Sequence, residues 1–295
     1  MNNILYHYTN ITGMTGIINK KEDCISLWFT HSKFLNDSSE GYDIDRIYPV
    51  ACKNLLLSGE IEETDYNELK EFVITDKRIF SFNDTDDKDS NSHFKEMPYD
   101  TYICSFSSDP DLLGMWRYYT KGETGLSIGL RKGLLSNSNL FKNNNKNRIG
   151  EFEVADVIYD ENEKRYLVEE GIRRALRNPD AKNGVKGSLN SQLYKYRYIF
   201  KHPCFQTENE VRMMLFVPND PSPLIKSGRN AYQISHRTSN GMLIPYIKLE
   251  FPKEALFSVL LSPLSSETNT ISVAQYISTF KKNVRIEKSS LPVRF

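Results

Sequence analysis

Three short clusters in this sequence of 295 residues hold side chains that could do chemistry. The first is His7, in Leu5-Tyr6-His7-Tyr8-Thr9, where strand alternation puts His7 and Thr9 on one face and Tyr8 on the other. Imidazole titrates near neutrality and can act as acid, base or hydrogen-bond partner, although a lone strand histidine is often structural. In the second, Ser105-Phe106-Ser107-Ser108-Asp109 runs into Trp116, Tyr118 and Tyr119, a hydroxyl-bearing strand end leading into an aromatic helix. Rings at this density usually build core; such a corner can also stack a flat heterocycle while hydroxyls fix its amide. The third is Glu208-Asn209-Glu210-Val211-Arg212, two acids at spacing two entering an apolar strand, which would project from one face. Like charges repel, so the pair is either a site or an exposed edge paired with Arg212.

The elements that must position these clusters follow from periodicity and breakers. Leu5 to Thr9 reads as a strand, Ile11 to Lys20 as a helix capped by Asn10 or Thr12, and Ile25 to Thr30 as a strand. Helices broken near Pro49 follow, ending in an Asp-rich loop from Asn83 to Ser92. Tyr102 to Ser107 alternates as a strand, and Asp109-Pro110-Asp111 opens a helix through Tyr119. Gly125 to Leu130 and Phe152 to Tyr159 read as strands on either side of an Asn-rich loop from Asn137 to Asn147, and Glu163 to Arg177 as a helix. One long basic helix, Leu189 to Ile199, leads into the strand Glu210 to Val217. Met242 to Phe251, Leu256 to Leu261 and Val284 to Ile286 read as strands, and Ile271 to Phe280 as a helix. No linker interrupts this order, so the expectation is one α+β domain over residues 1–295 with a helical acidic insertion around 40–95.

Composition narrows the class. With 39% hydrophobic and 26% charged residues the chain is globular, and no segment approaches a membrane span or a secretory signal, which predicts a cytoplasmic protein with no membrane partner. Cys24, Cys52, Cys104 and Cys204 stand far apart and suggest neither a metal knuckle nor a disulfide framework. Net charge is zero but uneven: residues 37–100 carry 17 acidic and 7 basic side chains, residues 164–202 carry 10 basic and 3 acidic. The basic run, with Arg173, Arg174, Arg177, Lys195 and Arg197, reads either as a solvated helix face or as a polyanion site.

Taken together, His-x-Thr on an early strand, a Ser-rich strand before an aromatic helix, and a late E-x-E resemble the ADP-ribosyltransferase superfamily, including its diphtheria-toxin-like branch. The blocks Leu5 to Thr9, Phe34-Leu35-Asn36-Asp37 with Glu40, Cys104 to Ser107 with Met115 to Tyr119, and Glu208 to Arg212 also resemble an uncharacterised bacterial family of unknown-function domains, up to the closing Ser289 to Arg294. The resemblance implies a split, mostly antiparallel sheet with NAD, as substrate, in its cleft and no metal. By it His7 would bind the NAD ribose, the backbone at Tyr8 the nicotinamide amide, and Thr9 would steady the strand. Ser105, Phe106 and Ser107 would line the nicotinamide pocket, with Phe106 and Tyr118 or Tyr119 sandwiching the ring. Glu210 would stabilise the oxocarbenium-like charge and Glu208 would orient or deprotonate the acceptor. Similar bacterial transferases act as toxins or phage-defence effectors. One such kind modifies messenger RNA within a toxin-antitoxin-chaperone system, which makes RNA the expected acceptor and an antitoxin protein a partner. A protein acceptor is the alternative. A non-catalytic nucleic-acid- or partner-binding protein is a second class; a hydrolase is a third, without a G-x-S-x-G or H-E-x-x-H motif.

Overall fold

The computed structural model describes residues 3–35, 41–83, 92–120, 124–136, 150–181, 183–220, 222, 231–239 and 241–292. The Asp-rich segment 84–91, the Asn-rich segment 137–149 and residues 36–40 of the Phe34 to Glu40 block lie outside the described residues. The chain is α+β, built on one large, mostly antiparallel sheet.

Strand β1 (Ile4–Asn10) turns directly into helix α1 (Ile11–Ile17), because the Asn10 side chain accepts the Gly13 amide at 2.8 Å and caps the helix. The short β2 (Ile18–Asn19) and β3 (Cys24–His31) follow. Helix α2 (Asp43–Leu57) runs through Pro49 unbroken, contrary to the expected break. An internal proline costs a helix about 3 kcal/mol, and α2 offsets it by burying Ile44, Ile47, Tyr48, Ala51, Cys52 and Leu55. After α3 (Glu63–Leu69) the expected helical insertion gives way to a β ribbon, β4 (Lys77–Asn83) against the start of β5 (Ser92–Ser107).

The remainder follows the expected order with local corrections: α4 (Leu113–Thr120), β6 (Gly125–Arg131), α5 (Lys132–Leu135), β7 (Glu151–Asp156) and α6 (Glu161–Arg177). The single basic helix expected over Leu189 to Ile199 is instead α7 (Gly184–Leu193) and a separate turn, α8 (Tyr196–Ile199). A 3-10 turn, Pro203–Glu208, precedes β8 (Glu210–Pro218). Then come β9 (Ile234–Ser239), which the pattern did not reveal, β10 (Met242–Pro252), β11 (Leu256–Leu261), α9 (Glu267–Phe280) and β12 (Arg285–Lys288).

Strand β8 is buried at every position, which suits a central strand covered on both faces. Its odd residues Val211, Met213 and Leu215 join Tyr102, Cys104 and Phe106 of β5 in a core under α1 and α9. On the other face Met214 and Phe216 join Tyr99 and Ile103 in a core under α2, α6 and α7. The second face carries Glu210 and Arg212 as well, directly opposite Ser107 and Ser105 of β5.

One edge of β5 is bordered by two strands that do not meet. Its end pairs with β1 at Tyr6 opposite Ser107, and further back it pairs with β3 at Thr30 opposite Ile103 and His31 opposite Tyr102. Strands β6, β11 and β12 extend the sheet from β1, and β10 and β9 extend it from β3. Between these wings the sheet is parted beside Cys104, Ser105 and Phe106.

Candidate functional site

A cavity of about 400 Å³ lies in that parting, within the size range of small-molecule sites. His7, Tyr8 and Thr9 of β1, Ser26, Trp28 and Thr30 of β3, and Ser105 and Tyr119 are among its walls, with Arg237 of β9. Helix α1 approaches closely because Gly13 has no side chain: a Cβ there would stand 1.9 Å from Thr9 Oγ1. Thr9 thus sets the seating of the helix on the cavity wall.

His7 fills the gap left by the missing ladder. Its Nδ1 lies 2.9 Å from the Ser105 carbonyl oxygen. A carbonyl only accepts, so Nδ1 carries the proton and Nε2 presents a lone pair. Burial lowers the His7 pKa against the opposing bond to Ser105, with the Arg237 charge adding to the lowering, so the ring is neutral at pH 7. It leans edge-on against Phe106 at 5.5 Å.

The serines and rings divide differently from the expectation. Ser105 reaches the cavity wall. Ser107 is fully buried: its hydroxyl donates to the Glu208 carbonyl at 2.7 Å and accepts from the Asp109 amide at 3.1 Å, so it anchors two turns and does not touch a ligand. Phe106 is 2% exposed, in the core on the opposite face from Ser105, which removes it as a stacking ring. Tyr119 lines the cavity, whereas Tyr118 points to solvent and is not among the lining residues. The Tyr8 side chain is core, stacked edge-on to Trp116 at 4.9 Å and bonded to the Asp109 carbonyl and Leu112 amide, so only its backbone can serve a ligand. Asp111 fixes this corner by accepting from the Trp116 indole at 2.7 Å and from Ser289, the first residue of the closing block, at 2.9 Å; residues 293 and 294 of that block lie outside the described residues.

The acid pair is assembled by a cation. Glu208 and Glu210 do not alternate along one strand: Glu208 ends the 3-10 turn, Asn209 adopts a left-handed φ of 46°, and β8 starts at Glu210. Lys201 Nζ donates to Glu208 at 2.7 Å and to Glu210 at 2.9 Å, joining the two carboxylates. Arg212 grips Glu210 through Nε at 2.8 Å and Nη2 at 3.1 Å, and its Nη1 donates to the Tyr198 carbonyl. Burial alone would raise the Glu210 pKa, but Arg212, Lys201 and a bond from Ser105 outweigh it and hold the carboxyl down at about 2. The Tyr119 hydroxyl is pushed up to about 12, first by desolvation and then by the Glu210 and Glu208 charges. Ser105 and Tyr119 are thus wall residues that feel the acid pair electrostatically, although neither acid lines the cavity. In the sequence Lys201 stood out only as one cation of the basic run, a polyanion contact rather than a partner of the acids, and the wall residues Arg237, Ser26 and Trp28 were not singled out, because nothing marked them among other arginines and strand residues.

Four of the ten basic side chains in the run, Lys164, Arg173, Arg197 and Lys201, are spent on internal ion pairs. Arg173 meets Glu60 at 2.7 Å and Glu170 at 2.8 Å, and Arg197 meets Asp76 at 2.8 Å. Buried Lys164 meets Asp43 at 2.7 Å. The acidic and basic segments therefore neutralise one another, and a polyanion face can draw on Arg174 and Arg177, exposed in the last turn of α6, but not on Arg173 or Arg197. Lys195 lies over the neighbouring Tyr196 ring at 5.5 Å. Among the described residues one trio, Glu22, Cys24 and Glu250, has metal-ligand spacing. Lys248 already meets both of its carboxylates, at 2.9 and 3.1 Å.

Fold and site thus define an α+β protein with a ligand-sized cavity in a parted sheet and a clasped acid pair at its border. A family model described as a protein of unknown function (DUF2971) matches residues 115–213, about a third of the chain, from the cavity-side helix α4 into β8. No curated protein and no solved structure matches. Among the described residues no helix is long and apolar enough to cross a membrane.

Proposed function

We propose that this chain is an NAD-dependent mono-ADP-ribosyltransferase, a toxin or phage-defence effector whose acceptor is RNA. The observation that carries the reading is the clasped pair Glu208 and Glu210 lying next to Ser105 and Tyr119, which do line a cavity that also holds a neutral His7. In that arrangement His7 Nε2 accepts a ribose hydroxyl, Tyr119 stacks on nicotinamide and the Tyr8 backbone holds its amide. The bond between nicotinamide nitrogen and ribose C1′ breaks, its electron pair leaving with nicotinamide. The Glu210 carboxylate, ionised at any working pH, stabilises the cationic ribose by preorganised charge. An acceptor atom then bonds to C1′ and gives its proton to Glu208.

A second reading is favoured by one specific observation: both oxygens of Glu210 are already bonded to Arg212 and Lys201. On that reading the cluster is a buried structural ion network in a non-catalytic binding protein. Incubation with labelled NAD and a cellular extract separates the possibilities. The transferase reading predicts label that nuclease removes and protease leaves; label removed by protease alone means a protein acceptor, and no label means a binding protein.

A further inference from the structure

Arg237 is a half-buried cation on the cavity wall without a carboxylate partner among the described residues. Five other buried or half-buried cations described above, Lys164, Arg173, Arg197, Lys201 and Arg212, each meet a carboxylate at 2.7 or 2.8 Å. Arg237 meets none among the described residues. Its Nη2 donates to Thr30 Oγ1 at 3.1 Å, its guanidinium lies 5.7 Å from the Trp28 ring centre, and its Nε is buried with no hydrogen-bond partner. On the same cavity wall Ser26 is 1% exposed, and its hydroxyl also makes no hydrogen bond. Ser26, Trp28 and Thr30 alternate along one face of β3, so the orphan hydroxyl, the indole and the hydroxyl that steers Arg237 form one continuous wall.

A permanent cation and two unmade buried hydrogen bonds together cost the empty cavity free energy that a ligand can recover. The guanidinium fork matches oxyanions bidentately. A terminal phosphate offers three oxygens to the donors on this wall, one more than a carboxylate. We propose that this corner of the cavity is an anion subsite that takes the phosphate group of a phosphorylated ligand, with Arg237 as its cation and Ser26 as a second donor. The subsite stands on the surroundings of Arg237 and does not depend on the transferase reading.

The test uses the full chain and inorganic pyrophosphate as probe, followed by titration calorimetry and by the fluorescence of Trp28, which adjoins the subsite. Wild-type protein should bind saturably and change its emission. Arg237→Gln should weaken binding at least roughly ten-fold, and Arg237→Lys, which keeps the charge but not the fork, several-fold. Ser26→Ala should weaken it less. Absence of saturable binding by wild type, or undiminished binding by a folded Arg237→Gln variant, overturns the subsite. Should Arg237→Gln fail to fold, Arg237→Lys decides, and affinity equal to wild type overturns the proposal. Preference for acetate over pyrophosphate at equal ionic strength also overturns it, in favour of a carboxylate ligand. NAD cleavage is measured separately: Arg237-dependent pyrophosphate binding with intact NAD keeps the subsite and rejects the transferase.

Discussion

Lys201 decides what the two glutamates are. Its ammonium bonds both carboxylates, while its own carbonyl accepts from the fully buried Lys164 at 2.8 Å, so the clasp is fixed at both ends. Without that cation the carboxylates repel and the Glu210 pKa rises from about 2, although Arg212, the larger cause of the lowering, still holds it down. Lys201→Met should therefore move the acidic limb of any pH–rate profile upward and lower kcat more than it raises KM for NAD, and it should destabilise the fold by about 3–5 kcal/mol. Lys201→Arg should restore most of the profile. A variant that only melts earlier, with an unmoved limb, would make Lys201 a structural residue. The E-x-E spacing was legible as a chemical signal in the sequence, but its geometry was not. Strand alternation assumed extended backbone at Asn209, and the left-handed turn there hands the job of aligning the acids to a lysine seven and nine residues upstream.

At the scale of elements, the seating of α1 on β1 forms one side of the cavity, and a single pair governs it. Gly13→Ala places a methyl group into Thr9 Oγ1 at the helix start. Overpacking of this kind costs about 1–3 kcal/mol, so the variant should melt earlier and bind cavity ligands more weakly; adding Thr9→Ser, which keeps the hydroxyl, should recover little, whereas Thr9→Ala should recover most. Melting curves of the three proteins check this, and an unchanged Gly13→Ala would mean the helix seats elsewhere. The strands that flank the cavity were readable because each is an alternating or continuous apolar run: β1, β3, β6, β8 and β11 all fall within a residue or so of expectation. Those misread lack such a run. Strand β9, Ile-Ser-His-Arg-Thr-Ser, is polar and mostly exposed at the sheet edge, and it carries Arg237 into the cavity only through pairing with β10. Helix α2 keeps its proline because burial outweighs local propensity, which no window of sequence reports.

Over the whole molecule, the opposed charges of the two segments serve first to hold α2 and its neighbours against α6 and α8. Ion pairs from Arg173 to Glu60, Lys164 to Asp43 and Arg197 to Asp76 join segments more than 100 residues apart. A count of charges along the sequence shows the imbalance but not that its halves meet in space. If RNA is the acceptor, the exposed Arg174 and Arg177 should steer it. Replacing both with Glu should weaken RNA modification and lower the slope of log affinity against log salt by about two, leaving acceptor-free NAD hydrolysis intact. An unchanged salt slope would place the acceptor surface elsewhere. The central claim, that the clasped Glu210 serves NAD cleavage, is tested most directly by nicotinamide release from NAD with wild-type protein and with Glu210→Gln. The amide leaves Arg212 and part of Lys201 without a counter-charge, so the comparison is made below the melting point of the less stable protein. The account predicts release by wild type and a loss of at least about 100-fold in the folded variant; release that persists undiminished in Glu210→Gln, or none from wild type, would contradict it.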